Sequence, residues 1–132
     1  MVLVDTSVWI RALANRAPFR VELDRLLALD DVAGHELVYG ELLIGDRGGR
    51  RKLLTAYEWM HQAKPVPHGE VVKFVRERGL HGRGVGWIDI HLLASAIVGR
   101  MQLWTADTGF AALAKEMGIA YERPVSKGGE VG

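Results

Sequence analysis

"VLVDTSVWI", residues 2–10, decides how this chain is read. Three apolar residues run without a polar break, the mark of a short strand buried on both faces, and Asp5-Thr6-Ser7 follows at once. Thr6 or Ser7 is placed to cap a helix carried on by Val8, Trp9, Ile10 and Leu13. A strand that turns straight into a helix leaves Asp5 at the strand's carboxyl end, where an α/β sheet presents its ligand site.

The alternation continues outward. After Pro18, "FRVELDRLLAL" (19–29) sets Phe19, Leu23, Leu26 and Leu27 at helical spacing, and a short extended piece is expected at Val32 and Ala33. Helices are predicted over "HELVYGELLIG" (35–45), ended by Gly45 and the breakers that follow, and over "RKLLTAYEWMHQ" (51–62). "KPVP" (64–67) reads as a proline-bounded edge strand, "GEVVKFVRERG" (69–79) as a helix and "LHGRGVG" (80–86) as a loop. A helix from Trp87, a buried strand "MQLWT" (101–105), a helix "TGFAALAKEMG" (108–118) and a last strand "IAYERP" (119–124) complete the pattern. Short apolar strands alternating with helices predict an α/β fold on a parallel sheet. Residues 1–125 form one expected domain and residues 126–132 a loose tail.

Composition excludes several classes. At 132 residues and 48% hydrophobic, the chain can bury its own core, and with no cysteine it can build neither a disulfide framework nor a thiolate zinc site, which fits a reducing cytoplasm. No apolar run is long enough to span a bilayer, and no membrane association is expected. A net charge of +1 does not mark the whole chain as a nucleic-acid binder, so any such role must rest on local patches.

Four acids stand where acids are costly. Asp89 shares a helix face with Leu92, Leu93 and Ala96, and Glu41 lies on the side of Leu37, Val38, Ile44 and Gly45. Asp5 and Asp107 each follow a predicted strand and precede a helix. Each has an ordinary alternative: Asp89 as a first-turn acid, Glu41 snorkelling outward, Asp5 and Asp107 as helix caps. If the four converge, the cluster cannot stay ionised without divalent cations, and oxygen-only ligation selects Mg²⁺ or Mn²⁺. Such a site orients a water for attack on a phosphodiester.

"VDTSVWI", "VYGELLIG", "WIDIHLLASA" and "LWTADTGFAALA", in this order and spacing, resemble the PIN-domain family, and the short length resembles its VapC-type toxin ribonucleases. The resemblance spans Val2 to Tyr121 and implies a three-layer α/β/α sandwich with a central parallel sheet. It implies a Mg²⁺- or Mn²⁺-dependent endoribonuclease with Asp5, Glu41, Asp89 and Asp107 as catalytic and metal-holding acids, and Thr6, Ser7 and Thr105 in supporting or phosphate-contacting places. A further acid usual in the family two residues after Asp107 is replaced by Gly109. The resemblance also implies a homodimer, a small VapB-like antitoxin partner, and DNA binding only through that antitoxin.

An acidic centre repels phosphate, so flanking cations are needed to bring RNA in. Arg83 and His81 in the glycine-rich loop, with Arg47 and Arg50 after the Glu41 helix, are the best candidates. Trp9, Trp59, Trp87 and Trp104 sit in apolar patterns and are expected to pack in the core; His35, His61, His68 and His91 lack a ligand arrangement. "HGRGVG" lacks the Lys-Ser/Thr pair of a phosphate-binding loop. The "DTS" and "DTG" triplets lead into helices, unlike the all-β frame of paired-aspartate proteases. The remaining alternative is a catalytically weak PIN-like module that binds RNA or a protein.

Overall fold

The computed structural model describes residues 1–123. In chain order the elements are β1 (Val2–Val4), α1 (Thr6–Leu13), α2 (Phe19–Ala28), β2 (Val32–Ala33), α3 (Glu36–Ile44), α4 (Arg51–Glu58), α5 (His68–Arg78), α6 (Trp87–Val98), β3 (Gln102–Trp104) and α7 (Thr108–Glu116). The three strands form a parallel sheet in the order β2-β1-β3, flanked by helices in the expected α/β/α layering. Val2 pairs with Val32 on one side and Gln102 on the other, and Val4 pairs with Trp104. This register puts Asp5, His35 and Thr105 on one edge, at or just beyond the strands' carboxyl ends.

The strands are short and apolar because both faces are covered: Leu3, Val4, Ala33 and Leu103 are essentially inaccessible. Val8 of α1, Leu92 and Leu93 of α6, and Phe110 and Leu113 of α7 complete the core. Fully burying side chains of this kind stabilises by about 1.5–3 kcal/mol each before chain entropy is counted.

Two predicted strands are absent as strands. At "KPVP" Pro65 and Pro67 have no N–H to offer a ladder, and the sheet is extended instead just upstream. There the Gly34 N–H donates to the His61 carbonyl at 2.7 Å, and the Ala63 N–H to the Gly34 carbonyl at 2.7 Å. Gly34 is required by crowding, since a Cβ would lie 2.6 Å from Gln62 Nε2 and 2.9 Å from the Tyr57 ring. Of the last predicted strand, only Ala120 bridges to Leu103; its final residue Pro124, like the tail at 126–132, lies outside the described residues.

Three side chains depart from their expected burial. Ile44 is 88% exposed, because the buried side of α3 is made by Val38 and Leu42. Trp59, at the C-terminus of α4, is 87% exposed, and Trp87, opening α6, is 44% exposed; Trp9 and Trp104 are in the core as expected. An apolar pattern near a helix end does not fix which way the terminal aromatic turns.

Candidate functional site

Asp5 occupies the residue before α1 yet makes no capping bond with its side chain. Its carboxylate is buried and directed across the sheet edge, where Oδ2 accepts from Ser7 Oγ at 2.7 Å and from Thr105 Oγ1 at 2.8 Å. The two hydroxyls are themselves held by backbone: the Ala106 N–H donates to Ser7 Oγ at 2.9 Å and the Asp107 N–H to Thr105 Oγ1 at 3.1 Å. Both hydroxyl protons therefore point at one oxygen, which must act as acceptor twice, and Oδ1 is left without a bond among the described residues.

The other acids reach the same edge from separate elements. Glu41 is half-buried and its Oε1 accepts from Thr6 Oγ1 at 2.7 Å, so it turns inward and ties α3 to α1. Asp89, half-buried, sits in the first turn of α6, one turn before the inaccessible Leu92 and Leu93. Asp107 differs from Asp5: it is exposed, and its Oδ1 accepts from the Phe110 N–H at 2.9 Å and caps α7.

Asp89 lies within reach of the charges of the other three. Its carboxyl is pushed up to about 6, first by burial and then by the negative charges of Asp5, Asp107 and Glu41. Glu22, another buried acid, makes the contrast. Bonds from Arg25, 2.6 Å away, and from Tyr121 hold Glu22 below the usual carboxylate range. No such cation serves the four acids; the ion pairs among the described residues join Met1–Asp31, Arg20–Asp24, Arg25–Glu22, Lys73–Glu77 and Arg83–Glu116.

The structure distributes the cationic candidates differently. Arg83 is paired with Glu116 of α7, and Arg50 donates to the Leu42 carbonyl at 2.8 Å, closing the last turn of α3. His81 and Arg47 are exposed. Sequence reasoning missed His35, which is wholly buried: its Nδ1 accepts from the Leu37 N–H at 3.0 Å as the cap of α3, so the proton is on Nε2, facing Ser95 Oγ of α6 at 3.0 Å. A Tyr57 hydroxyl accepts the His35 N–H at 2.8 Å. The sequence reading places His35 inside the helix as its first residue; the observed helix begins at Glu36, and His35 is its cap.

Residues 2–116 match the family model of the PIN domain. The chain belongs to the PIN-domain family. This PIN-domain chain is 41% identical over 127 residues to Ribonuclease VapC32 of Mycobacterium tuberculosis, covering 96% of this chain and 100% of that one. Among solved structures it is similar to FitAcB from Neisseria gonorrhoeae, with a TM-score of 0.58, 23% identity, and 87% and 94% of the two chains covered. It is also similar to PAE2754 from Pyrobaculum aerophilum, with a TM-score of 0.54, 18% identity, and 84% and 77% covered. These two likenesses speak for the fold.

Proposed function

We propose that this PIN-domain chain is a VapC-type endoribonuclease, the toxin of a toxin–antitoxin pair, which cleaves RNA phosphodiester bonds with a divalent cation, Mg²⁺ or Mn²⁺. The observation that carries the reading is Asp89, a carboxylate raised by burial and then by the charges of Asp5, Asp107 and Glu41, with no ion pair to any of the four among the described residues. Family membership and the named ribonuclease relative supply the reaction class.

Among the described residues no group of three or more acidic or imidazole side chains is arranged so as to hold a metal ion already. The fit to a hard divalent cation rests on donor chemistry: four carboxylates, no sulfur, and excess negative charge on one sheet edge. Asp5, through its unbonded Oδ1, with Glu41, Asp89 and Asp107, would hold the ion, which supplies Lewis-acid polarisation of a phosphate oxygen and a water of lowered pKa.

The chain's own residues prepare that site. Ser7 and Thr105 lock the Asp5 carboxylate in one rotamer, so that Oδ1 is presented without a search through orientations. Thr6 does the same for Glu41. Asp107, fixed as the cap of α7, offers its second oxygen from a rigid helix end. Leu92 and Leu93, one turn on from Asp89, are buried in the core and fix the position of α6 that carries it.

By the family resemblance the protein works as a cytoplasmic homodimer held inactive by a VapB-like antitoxin, with DNA contacted only through that antitoxin. The test is cleavage of single-stranded RNA by antitoxin-free protein. Mn²⁺ or Mg²⁺ supports cleavage, EDTA stops it, and Asp5→Asn removes most of it. Cleavage that survives both EDTA and Asp5→Asn overturns the proposal. The second reading, a weak or inactive PIN-like binding module, is favoured by Gly109 and by the commitment of one Asp107 oxygen to helix capping. RNA binding with no cleavage under any divalent ion decides for it.

A further inference from the structure

Trp87 and His91 lie four residues apart on α6 and share a face; Asp89, between them, is about 200° away around the helix. Behind the acidic edge, therefore, α6 presents a second surface. There the half-exposed Trp87 ring is held between two imidazoles, His91 at 4.9 Å with the planes at 87° and His68 of α5 at 5.4 Å with the planes at 63°. The indole forms one wall of a groove of about 270 Å³, completed by His91, Leu37 and Glu36 of α3, and Pro65 and Val66 of the segment before α5.

We propose that this groove is a binding pocket for one unstacked base of the RNA strand; this rests on the ribonuclease reading above. The shape matches a base and little larger, since drug-sized ligands occupy pockets from about 300 Å³ upward. A base presents a flat apolar face and a polar edge. Trp87, Leu37 and Val66 meet the first, while the Glu36 carboxylate and the His91 ring can meet the second. The indole is fixed by partners from two elements, so little side-chain freedom is lost on stacking.

His68, which packs on Trp87, and exposed Lys64, next to Pro65 in the chain, adjoin a lining whose single acid is Glu36. Next door, the four acids repel a polyanion, and Arg83 and Arg50 are engaged within the chain. Stacking is a source of affinity that does not depend on further cations. Because pocket and acids lie on opposite sides of a helix about 10–12 Å across, the captured base belongs to a nucleotide along the strand from the one cut. Trp87 then selects where the strand is cut and not how fast the bond breaks.

The test uses antitoxin-free protein and a fluorescently labelled single-stranded RNA, with binding followed by anisotropy in EDTA and cleavage followed separately in Mn²⁺. Trp87→Ala should weaken binding about 5- to 150-fold, the range of losing one stacked base, while leaving the salt dependence unchanged because no charge is removed. Trp87→Phe should restore most of the loss. An abasic nucleotide at one position in the RNA should weaken wild type to the level of Trp87→Ala and leave the variant unaffected, and Mn²⁺ affinity should not move. Equal RNA affinity in wild type and Trp87→Ala, with cleavage intact, overturns the pocket and leaves the ribonuclease reading standing. A Trp87→Ala effect on self-association alone, seen by sedimentation, reassigns the groove to protein contact and also overturns it. Failure of wild type to bind or cut RNA overturns both.

Discussion

Replacing Asp89 by Asn should make the metal-free protein more stable at neutral pH, and by a pH-dependent amount. In the folded chain the Asp89 carboxyl stands at about 6 against an ordinary 3.8. A raised carboxyl costs stability whenever it is ionised. Below the ordinary value both folded and unfolded chains carry the proton and there is no difference; between 3.8 and about 6 the unfolded chain gives up its proton first, so stability falls as pH rises; above about 6 the whole penalty is present. About two pH units at 1.36 kcal/mol each set a ceiling of roughly 3 kcal/mol. Because the group is only half-buried, solvent screening reduces this to about 1–2 kcal/mol. Asn keeps the shape and removes the charge. Urea denaturation in EDTA should show Asp89→Asn more stable than wild type by that amount at pH 7.5, with the gap closing below pH 4. Mn²⁺ should stabilise wild type and not the variant. A variant equal to or weaker than wild type at pH 7.5, or a gap independent of pH, would refute the claim that neighbouring acids and burial act on this carboxylate.

Removing the hydroxyls that hold Asp5 should cost less stability than activity: Ser7→Ala and Thr105→Ala each lose about 0.5–1.5 kcal/mol in denaturant titrations, and together less than the sum because they share one acceptor oxygen. His35→Ala should lose roughly 2–4 kcal/mol by the same measurement, since it leaves Ser95 and the Leu37 N–H without partners and opens a cavity. Burial also lowers the His35 imidazole below its ordinary 6.5, so its contribution is present above that value and is lost as pH falls, opposite in sign to Asp89; in the Asp89→Asn background, stability should therefore decline on acidification from pH 7 to 5. Gly34→Ala should destabilise by about 1–3 kcal/mol, read as a lower melting temperature, because its Cβ meets the Tyr57 ring.

The parallel α/β frame was legible because its evidence is local: an apolar triplet at Val2–Val4, an apolar pair at Leu103–Trp104, and helical spacing between them. The acids were legible as anomalies for the same reason. What each acid does was not, since whether Asp5 or Asp107 caps its helix turns on rotamers that the pair of identical strand-turn-helix patterns does not distinguish. Asp107 caps and Asp5 does not, because Ser7 and Thr105, the latter one hundred residues away, claim the Asp5 oxygen. Long-range partners also explain the rest: Arg83 finds Glu116, His35 finds Ser95, and Trp87 turns toward His68, none of which follows from spacing along one element.

In the proposed function these four acids hold a divalent cation on which RNA cleavage depends. Isothermal titration of Mn²⁺ into antitoxin-free wild type and into Asp5→Asn tests it most directly. Saturable binding to wild type and its loss in the variant are expected, at a protein concentration where wild type cuts RNA. No detectable binding to wild type that nonetheless cuts RNA would contradict it.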